Sequence, residues 1–457
     1  MGANWSSVLF ENAPLQIEDG DRGSNYPKRT EFATKGHCIF LNTGNVTRSG
    51  FNLDSLDFIS EERDYLLRKG KLRRHDIVLT TRGTVGNVAY YDDRVPFDHI
   101  RINSGMVIVR PDQALIYPRF LYLYLRSRIF SDQVAALQTG SAQPQLPIRD
   151  IKKIQLNFPD LAEQQRIAHI LGTLDDKIEL NRQINTTLEA IAQALFKSWF
   201  VDFDPVIDNA LAAGNDIPEP LQAKAAKRKA LGANRKPLPN GLQQQFPDRF
   251  VFTEEMGWVP EGWEVGSIYE LAEVVYGAPF SSKQFNEDRQ GRPIIRIRDL
   301  KTGTPQMWSE ELHPKATLIT GGDVVVGMDA EFRPVLWSGE DGYLNQRLFL
   351  ARPRADYINS FYVQFSLSPL LALEELAQVG TTVAHLGKKD IDKFVTLKAS
   401  HSAISAFSKI TGPMHGRLVG NYKELRVLVK IRDTLLPKLL SGELRIPDAE
   451  KQLAEAL

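Results

Sequence analysis

The chain has 457 residues, more than one hydrophobic core usually serves, so we expect two or three domains, each with a core of its own. Its 42% hydrophobic and 25% charged residues are typical of a soluble folded protein, and equal totals of 56 basic and 56 acidic residues exclude a grossly basic protein without excluding nucleic acid as a partner. The single cysteine, Cys38, excludes an internal disulfide and a thiolate zinc cluster, and neither a long apolar run nor a secretory signal is present, so we expect a cytoplasmic protein with no membrane span.

Residues 1–155 form the first predicted module. Short β-branched runs at Asp76–Thr80, Val88–Tyr91 and Met106–Val109 are broken by Gly and Asp, and they predict strands around a compact mixed core. The module ends in a Gly-rich loop, Gly140–Leu146, which is followed by Asp150.

Residues 156–203 predict a long helix with a packing seam. Apolar residues and two asparagines recur at alternating spacings of four and three, the heptad pattern of a coiled coil. If it is wholly helical from Leu161 to Phe200, the region extends roughly 60 Å. The seam contains Ile167, Leu171, Leu174, Ile178, Asn181, Asn185, Leu188, Ala192, Leu195 and Trp199.

Residues 204–258 are rich in Ala, Pro, Gly and Gln, a composition that predicts a linker. Its basic run favours a solvated tether, with a phosphate contact as the alternative. The run contains Lys224, Lys227, Arg228, Lys229, Arg235 and Lys236. The following stretch, Met256–Glu264, has paired tryptophans and turn residues that predict the entrance of a new module.

The second half repeats the first. The loop Gly380–Leu386 matches Gly140–Leu146 at a constant separation of 240 residues (140 and 380), and Asn345–Pro353 matches Asn103–Pro111. We therefore predict a second module at 259–397, a second helical region at 398–444 and a tail at 445–457. The second seam contains Met414, Leu418, Asn421, Leu425, Leu428, Leu435 and Leu439, with Arg432 interrupting it.

Two features of the second helix are open to test. Gly412 and Pro413 predict its true start, since proline is tolerated only in a first helical turn. Asn181 and Asn421 occupy equivalent seam positions, and our hypothesis is that they face each other across an intramolecular helix pair; the alternative is two unrelated solvated asparagines.

No catalytic motif is recognisable in the sequence. It has no G-x-x-x-x-G-K-[ST], H-E-x-x-H, C-x-x-C or G-x-S-x-G pattern, no amino-methyltransferase motif, and its eight histidines lack metal-ligand spacing. A non-catalytic protein without a metal site is therefore favoured.

The repeated module, the helix after each copy and the Trp-Val-Pro-Glu-Gly-Trp entrance resemble the specificity subunit of type I restriction-modification systems. The most specific segments are Phe158–Ile167 with Lys197–Phe203, then Gly257–Trp263, then Leu425–Leu444. The second copy departs from the pattern where Ala403–Ala406 replaces Glu163–Arg166. This difference leaves open whether the two copies bind partners identically.

The resemblance implies an α+β fold, in which two mixed α/β target-recognition domains are separated by a pair of long antiparallel helices, an intramolecular coiled coil with an internal pseudo-two-fold repeat. It also implies that each module reads one part of a split, asymmetric sequence in double-stranded DNA. The expected partners are two methyltransferase subunits and motor-nuclease restriction subunits. The expected cofactors, S-adenosylmethionine, ATP and Mg, would act in those partners, with none in this chain.

The residues that contact DNA are expected among basic and amide side chains in Gly-rich loops, because Arg and Lys bind phosphates while Arg, Asn and Gln also read base edges. For each of these residues an ordinary surface or structural role is the alternative. We also expect Gln143→Ala to weaken or relax recognition of one half-site with folding intact. The candidates are Lys69, Lys71, Arg73, Arg74, Arg82, Asn87, Arg101, Ser141, Gln143 and Gln145 in the first module, and Lys283, Arg296, Arg298, Arg333, Gln346, Arg347, Thr381 and His385 in the second.

Two rival interpretations remain at this point. A coiled-coil adaptor with two protein-binding modules would show no salt-dependent affinity for DNA. A self-contained DNA enzyme with an unrecognised site would act without partners.

Overall fold

A computed structural model describes residues 5–139, 144–232, 238–378 and 384–456. The chain divides into two compact units: the first contains Met1–Ile178 and Leu428–Leu457, and the second contains Glu179–Val427. Both mix helix and sheet, so the predicted fold class is confirmed.

The first unit contains eleven strands within the described residues. They are β1 (Ser6–Leu9), β2 (Leu15–Asp19), β3 (Cys38–Leu41), β4 (Val46–Thr47), β5 (Gly50–Phe51), β6 (Phe58–Ile59), β7 (Ile77–Thr80), β8 (Val88–Tyr90), β9 (Ile100–Ile102), β10 (Met106–Pro111) and β11 (Gln155–Phe158).

The second unit contains twelve strands within the described residues. They are β12 (Phe250–Thr253), β13 (Gly257–Pro260), β14 (Glu264–Ser267), β15 (Ala272–Tyr276), β16 (Arg292–Ile295), β17 (Trp308–Ser309), β18 (Leu318–Ile319), β19 (Val324–Gly327), β20 (Pro334–Leu336), β21 (Gly342–Leu344), β22 (Leu348–Pro353) and β23 (Val395–Lys398).

Thirteen helices accompany these strands in the described part of the chain. They are α1 (Glu61–Leu66), α2 (Pro118–Leu125), α3 (Arg128–Leu137), α4 (Ile148–Ile151), α5 (Leu161–Phe196), α6 (Asp204–Ala213), α7 (Glu219–Ala230), α8 (Asn240–Gln243), α9 (Ile297–Leu300), α10 (Ser360–Ala377), α11 (Lys388–Ile391), α12 (His401–Leu440) and α13 (Ile446–Ala456).

The two units share one sheet topology. A four-stranded sheet has the order β2-β10-β7-β8 in the first unit and β15-β22-β19-β20 in the second. Each unit also has a parallel pair, β3 with β9 and β16 with β21. In each unit the strand just before the four-stranded sheet pairs antiparallel with the last strand of the unit, β1 with β11 and β14 with β23. The internal repeat predicted from the sequence is therefore confirmed.

The central strands carry near-continuous apolar runs because both of their faces are covered. All four residues of β7 are buried, and so are the four residues of β19, Val324–Gly327. Around β7 the core is formed by residues such as Ile39, Val78 and Ile108, while Phe361, Phe407 and their neighbours fill the second unit.

The long helices bury the predicted seam. In α5, Leu171 and Ile178 are buried, and the helix continues through one π-helical turn, Lys197–Val201, that buries Trp199. In α12, Leu418 and Leu428 are buried. Within the second unit, bonds of Asn181 to Glu424 and of Asn185 to Asn421 show that the two helices run antiparallel.

Two predictions about the second helix are wrong. The helix α12 starts at His401 and runs without a break through Gly412 and Pro413, because Ala403, Ile404 and Phe407 pack into the core of the second unit and hold the first turns helical. Asn181 and Asn421 do not pair with each other. Asn181 donates to Glu424 Oε2 at 3.0 Å, and Asn421 donates to Asn185 Oδ1 at 2.7 Å, one turn away.

Arg432, which interrupts the apolar seam of the second helix, forms an ion pair. In the first unit, Arg432 Nη1 lies 3.1 Å from Asp175 Oδ1, so the charge at the seam is paired. Burial lowers the pKa of Arg432, but the carboxylates of Asp433 and Asp175 outweigh it and leave that pKa above its usual value.

The structure also differs from the predicted linker and tail. Residues 204–230 form α6 and α7, and Val206 and Phe246 are buried in the core of the second unit. The basic run is partly neutralised, since Arg228 forms an ion pair with Asp208 and Lys224 lies 3.0 Å from Asp202. The predicted tail forms α13, whose Ala449 is buried.

Among the residues that the structure describes, no helix is both long enough and apolar enough to cross a membrane.

Candidate functional site

Three chain segments meet at one end of the first module, and we call this place the first junction. After β7, the N–H groups of Thr81 and Arg82 donate to the carbonyl of Gly105, just before β10, at 2.8 and 3.2 Å. Leu146 N–H, at the end of the Gly140 loop, donates to the carbonyl of Thr81 at 3.0 Å, and Arg82 forms a bridge with Gln145.

The same junction exists in the second module. Met328 N–H, after β19, donates to the carbonyl of Arg347 at 2.9 Å, and Leu386 N–H donates to the carbonyl of Met328 at 2.8 Å. Asp329 forms a bridge with His385, as Arg82 does with Gln145. We call this place the second junction.

At each junction two backbone segments lie unusually close together. A Cβ atom on Gly20 would lie 2.3 Å from the carbonyl oxygen of Asn103, and one on Gly277 would lie 1.9 Å from that of Asn345. Only glycine fits at these two places. The loops before β10 and β22 are therefore held by the same contact, and the modules differ in the side chains they present there.

The first junction presents a basic and polar surface. Arg82 is exposed, and its side chain makes no hydrogen bond or ion pair to any residue of the described ranges. Beside it, Arg22 donates to the carbonyl of Ser104 at 3.3 Å and pairs with Asp19 at 3.1 Å. A cavity of about 250 Å³ opens between Arg22, Arg82 and Gln145.

The second junction presents three charged or ionisable groups in contact. His385 Nδ1 lies 2.7 Å from Asp329 Oδ1 and 3.2 Å from Arg347 Nη1. Arg347 Nη1 also lies 3.6 Å from Asp329 Oδ1. The guanidinium is therefore held on one side by an acid while 56% of the Arg347 side chain remains exposed.

The residues predicted to contact DNA lie in several places in the structure. Arg82, Gln145, Arg347 and His385 belong to the two junctions, and exposed Gln346 is next to Arg347. Exposed at other positions are Lys69, Arg73, Lys283, Arg298 and Arg333. Ser141, Gln143 and Thr381 lie outside the described residues, so the prediction for Gln143→Ala remains a prediction.

Several candidates instead have structural partners. Arg101 is 5% exposed and donates to the carboxylate of Asp64 and to three backbone carbonyls, so burial conflicts with its predicted contact with DNA. Lys71 shares the same carboxylate at 2.5 Å. Burial raises the pKa of Asp64, but the hydrogen bonds from Lys71 and Arg101 outweigh it and leave that pKa below its usual range.

Three further candidates are held inside their modules. Arg74 donates to the carbonyls of Asp92 and Val95 and lies over the ring of Tyr91. Asn87 donates to the carbonyl of Val46 at 3.0 Å. Arg296 is mostly buried at the start of α9. Their bonding or burial favours structural roles.

One group of possible metal ligands escaped the sequence analysis. Ligand atoms of His37, Asp64 and His99 lie within 4.8 Å of one another. Both oxygens of Asp64 already accept from cations, Arg101 and Lys71, which opposes a bound metal ion there. The cluster adjoins the starts of β3 and β9, the opposite ends of these strands from the first junction.

Asp329 is a junction residue that the sequence analysis missed. It lies six residues after Asp323, as Arg82 lies six residues after Asp76, and those two aspartates begin matching apolar runs. Extending that match would have found it.

Comparison with known proteins agrees with this architecture. The family described as "Type I restriction modification DNA specificity domain" matches residues 17–190 and 260–395, more than half of the chain. The HindI specificity subunit of a type I restriction enzyme from Haemophilus influenzae is 28% identical over 460 residues, covering 93% of this chain and 98% of that protein. The MjaIX specificity subunit from Methanocaldococcus jannaschii is 24% identical, covering 81% of this chain and 78% of that protein.

A solved structure shows the same fold. The S subunit of a type I restriction-modification system from M. genitalium superposes with a TM-score of 0.52 at 15% identity, covering 96% of each chain.

Proposed function

The chain belongs to the type I restriction-modification DNA specificity family, and from this premise we propose that its two junctions read the two parts of a split, asymmetric DNA sequence. The chain is a DNA specificity subunit. The finer proposal is supported by one observation: the same three-segment junction is built twice, with different exposed side chains on each copy.

The chemistry of the junctions suits DNA. Exposed Arg82 beside half-buried Gln145, and exposed Arg347 beside His385, offer cations and hydrogen-bonding groups that phosphates and base edges accept. Because the exposed side chains of the two junctions differ, the two DNA half-sites that they read should differ in sequence as well.

The proposal extends to partners. We infer that α5 and α12 fix the separation between the two parts of the sequence and carry docking surfaces for methyltransferase subunits, with a motor-nuclease joining them. The outer face of α5 supports docking, since Leu180 and Ile191 are large apolar side chains left exposed on one helix. We propose that catalysis, S-adenosylmethionine, ATP and Mg belong to those partners, in the cytoplasm. The rival adaptor function has no support in the family match.

Mapping methylated adenines tests the proposed function. The chain is expressed with a methyltransferase subunit of the same system, the assembly is purified, and the modified adenines are located on genomic DNA. We expect a split motif that disappears when this chain is omitted. Methylation that is independent of the chain, or methylation by the chain alone, would refute the proposal.

A second experiment tests docking. Ile191→Glu places a charge on the exposed apolar face of α5 and should reduce co-purification of the methyltransferase at least tenfold. Gln193→Glu is the control, because Gln193 is also exposed on α5 and has no apolar side chain to lose. Equal retention of the partner by both variants would contradict docking at this face.

A further inference from the structure

Arg347 occupies a backbone position that disfavours its side chain. Its φ is 74°, in the left-handed region that side chains rarely adopt. The first module has Gly105 at the equivalent place before β10, but Gly105 is not in that region, so the left-handed backbone belongs to the second module. A residue kept in such a conformation is a candidate for function, because the fold would be relaxed by glycine there.

The surroundings of Arg347 favour a base edge over a phosphate. Asp329 lies 3.6 Å from its Nη1 and would repel a phosphate that approached the same guanidinium. A guanine edge carries no net charge and presents two acceptors, O6 and N7, that match the parallel N–H groups of arginine. Because Asp329, itself bonded to His385 Nδ1, already holds one side of the guanidinium, less side-chain freedom is lost on binding.

We propose that Arg347 reads a guanine in the second half-site and that Asp329, with His385, is a positioning residue for it. This inference rests on the proposed function, since it requires the second junction to face the major groove. It identifies the residue that determines specificity and the base that it selects.

Two variants remove the guanine contact in different ways. Arg347→Gly installs the residue of the first module, relieves the backbone and deletes the side chain. Arg347→Lys keeps the charge and loses the two-pronged donor. Arg289→Gly is the matched control: Arg289 is another exposed arginine with positive φ, 60°, and it lies just before β16, whereas the second junction adjoins the other end of that strand.

Affinity is measured on duplexes carrying the mapped motif and on duplexes with each base pair of the second half-site replaced, over a range of salt. We expect the wild-type assembly to discriminate one G·C pair by about 5- to 150-fold, and both Arg347 variants to lose most of that factor. In both Arg347 variants the slope of the logarithm of affinity against the logarithm of salt concentration should stay unchanged. Arg289→Gly should keep wild-type discrimination. Asp329→Asn should lose part of the discrimination at that same base pair.

Three results would overturn the inference. The first is wild-type discrimination in both Arg347 variants. The second is a salt slope lowered by about one in Arg347→Gly with base preference unaltered, which indicates a phosphate contact. The third is lost discrimination in Arg289→Gly as well. A wild-type assembly that directs no split motif refutes the proposed function itself, a separate outcome read before any variant is tested.

Discussion

The two units attach their long helices to their modules with different side chains. In the first unit, buried Gln164 of α5 accepts from Tyr117 N–H at 2.8 Å and donates to the carbonyls of Leu115 and Pro159. In the second, Ile404 takes that place in the apolar core, and Asn359 donates instead to Thr411 of α12 at 2.7 Å.

This difference shows what the replacement of Glu163–Arg166 by Ala403–Ala406 means. The side chain of Gln164 is buried and forms its hydrogen bonds inside its own unit. Its replacement by Ile404 therefore removes no exposed group that a partner could touch. The two copies therefore differ here in the buried contacts that hold the helix to its module. At this residue the difference gives no reason to expect unequal docking.

Other contacts are the same in both units. Arg110 of β10 forms an ion pair with Asp76, and Arg352 of β22 forms one with Asp323. Features that recur in this way define the frame of the module, whereas the exposed residues of the junctions differ. Matched substitutions in the two units can measure how far this frame is equivalent.

The largest effect is expected at the shared ion pair. Arg110 is 14% exposed and makes two short bonds to Asp76, whereas Arg352 is 39% exposed. Arg110→Met should cost about 3 to 5 kcal/mol of local stability, because buried Asp76 loses its cationic partner and keeps the backbone N–H of Arg73 as a donor. Arg352→Met should cost only about 1 kcal/mol.

Amide hydrogen exchange, resolved to peptides of each sheet, measures both free energies. Equal losses in β7 with β10 and in β19 with β22 would show that exposure does not set the value of this pair.

A smaller effect is expected where the helix anchors differ. Gln164→Ile leaves the N–H of Tyr117 and two carbonyls without their partner and should destabilise the first unit by about 2 to 3 kcal/mol. Neighbouring Gln165 is exposed, so Gln165→Ala should change stability by less than about 0.5 kcal/mol. Urea unfolding of the wild type, Gln164→Ile and Gln165→Ala measures these free energies. An unchanged stability of Gln164→Ile would refute the anchoring role of Gln164.

These anchors also show what sequence can predict. The repeat, the mixed modules and the seam of α5 could be predicted, because each depends on periodic apolar positions or on matching turn residues. The start of α12 could not, because Pro413 forbids a helix locally and only the burial of Ile404 and Phe407 overrides it.

The candidate site was partly predictable for a related reason. The sequence pointed to Arg82, Arg347 and Arg101 on the same grounds, but the structure leaves Arg82 and Arg347 exposed at the junctions and buries Arg101 against Asp64. That distinction depends on tertiary contacts. The helix α7 was missed in the same way, since Leu221 and Ala225 are its buried residues and the rest of its sequence is largely polar.

The smallest effect is expected at a buried cap position. Asn45 of the first unit accepts from Asn42 N–H and donates to the carbonyls of Asn52 and Ser55. Its equivalent, Asp299, accepts from Arg296 N–H, and its Oδ1 has no donor within hydrogen-bond distance in the described part of the chain. Asp299→Asn should therefore stabilise the second unit by about 1 kcal/mol, and the reciprocal Asn45→Asp should destabilise the first.

The pH dependence checks the cause. Burial raises the pKa of Asp299 above its usual range, so its folded form holds a proton more tightly than the unfolded chain does. The stability that this proton contributes is complete below the usual carboxyl pKa and is lost as pH rises through the raised one. Hydrogen exchange of peptides covering α9 should show falling stability from about pH 4 upward in the wild type and a flatter profile in Asp299→Asn. Parallel profiles would mean that Asp299 has partners enough to stay ionised, and that the two cap positions are equivalent after all.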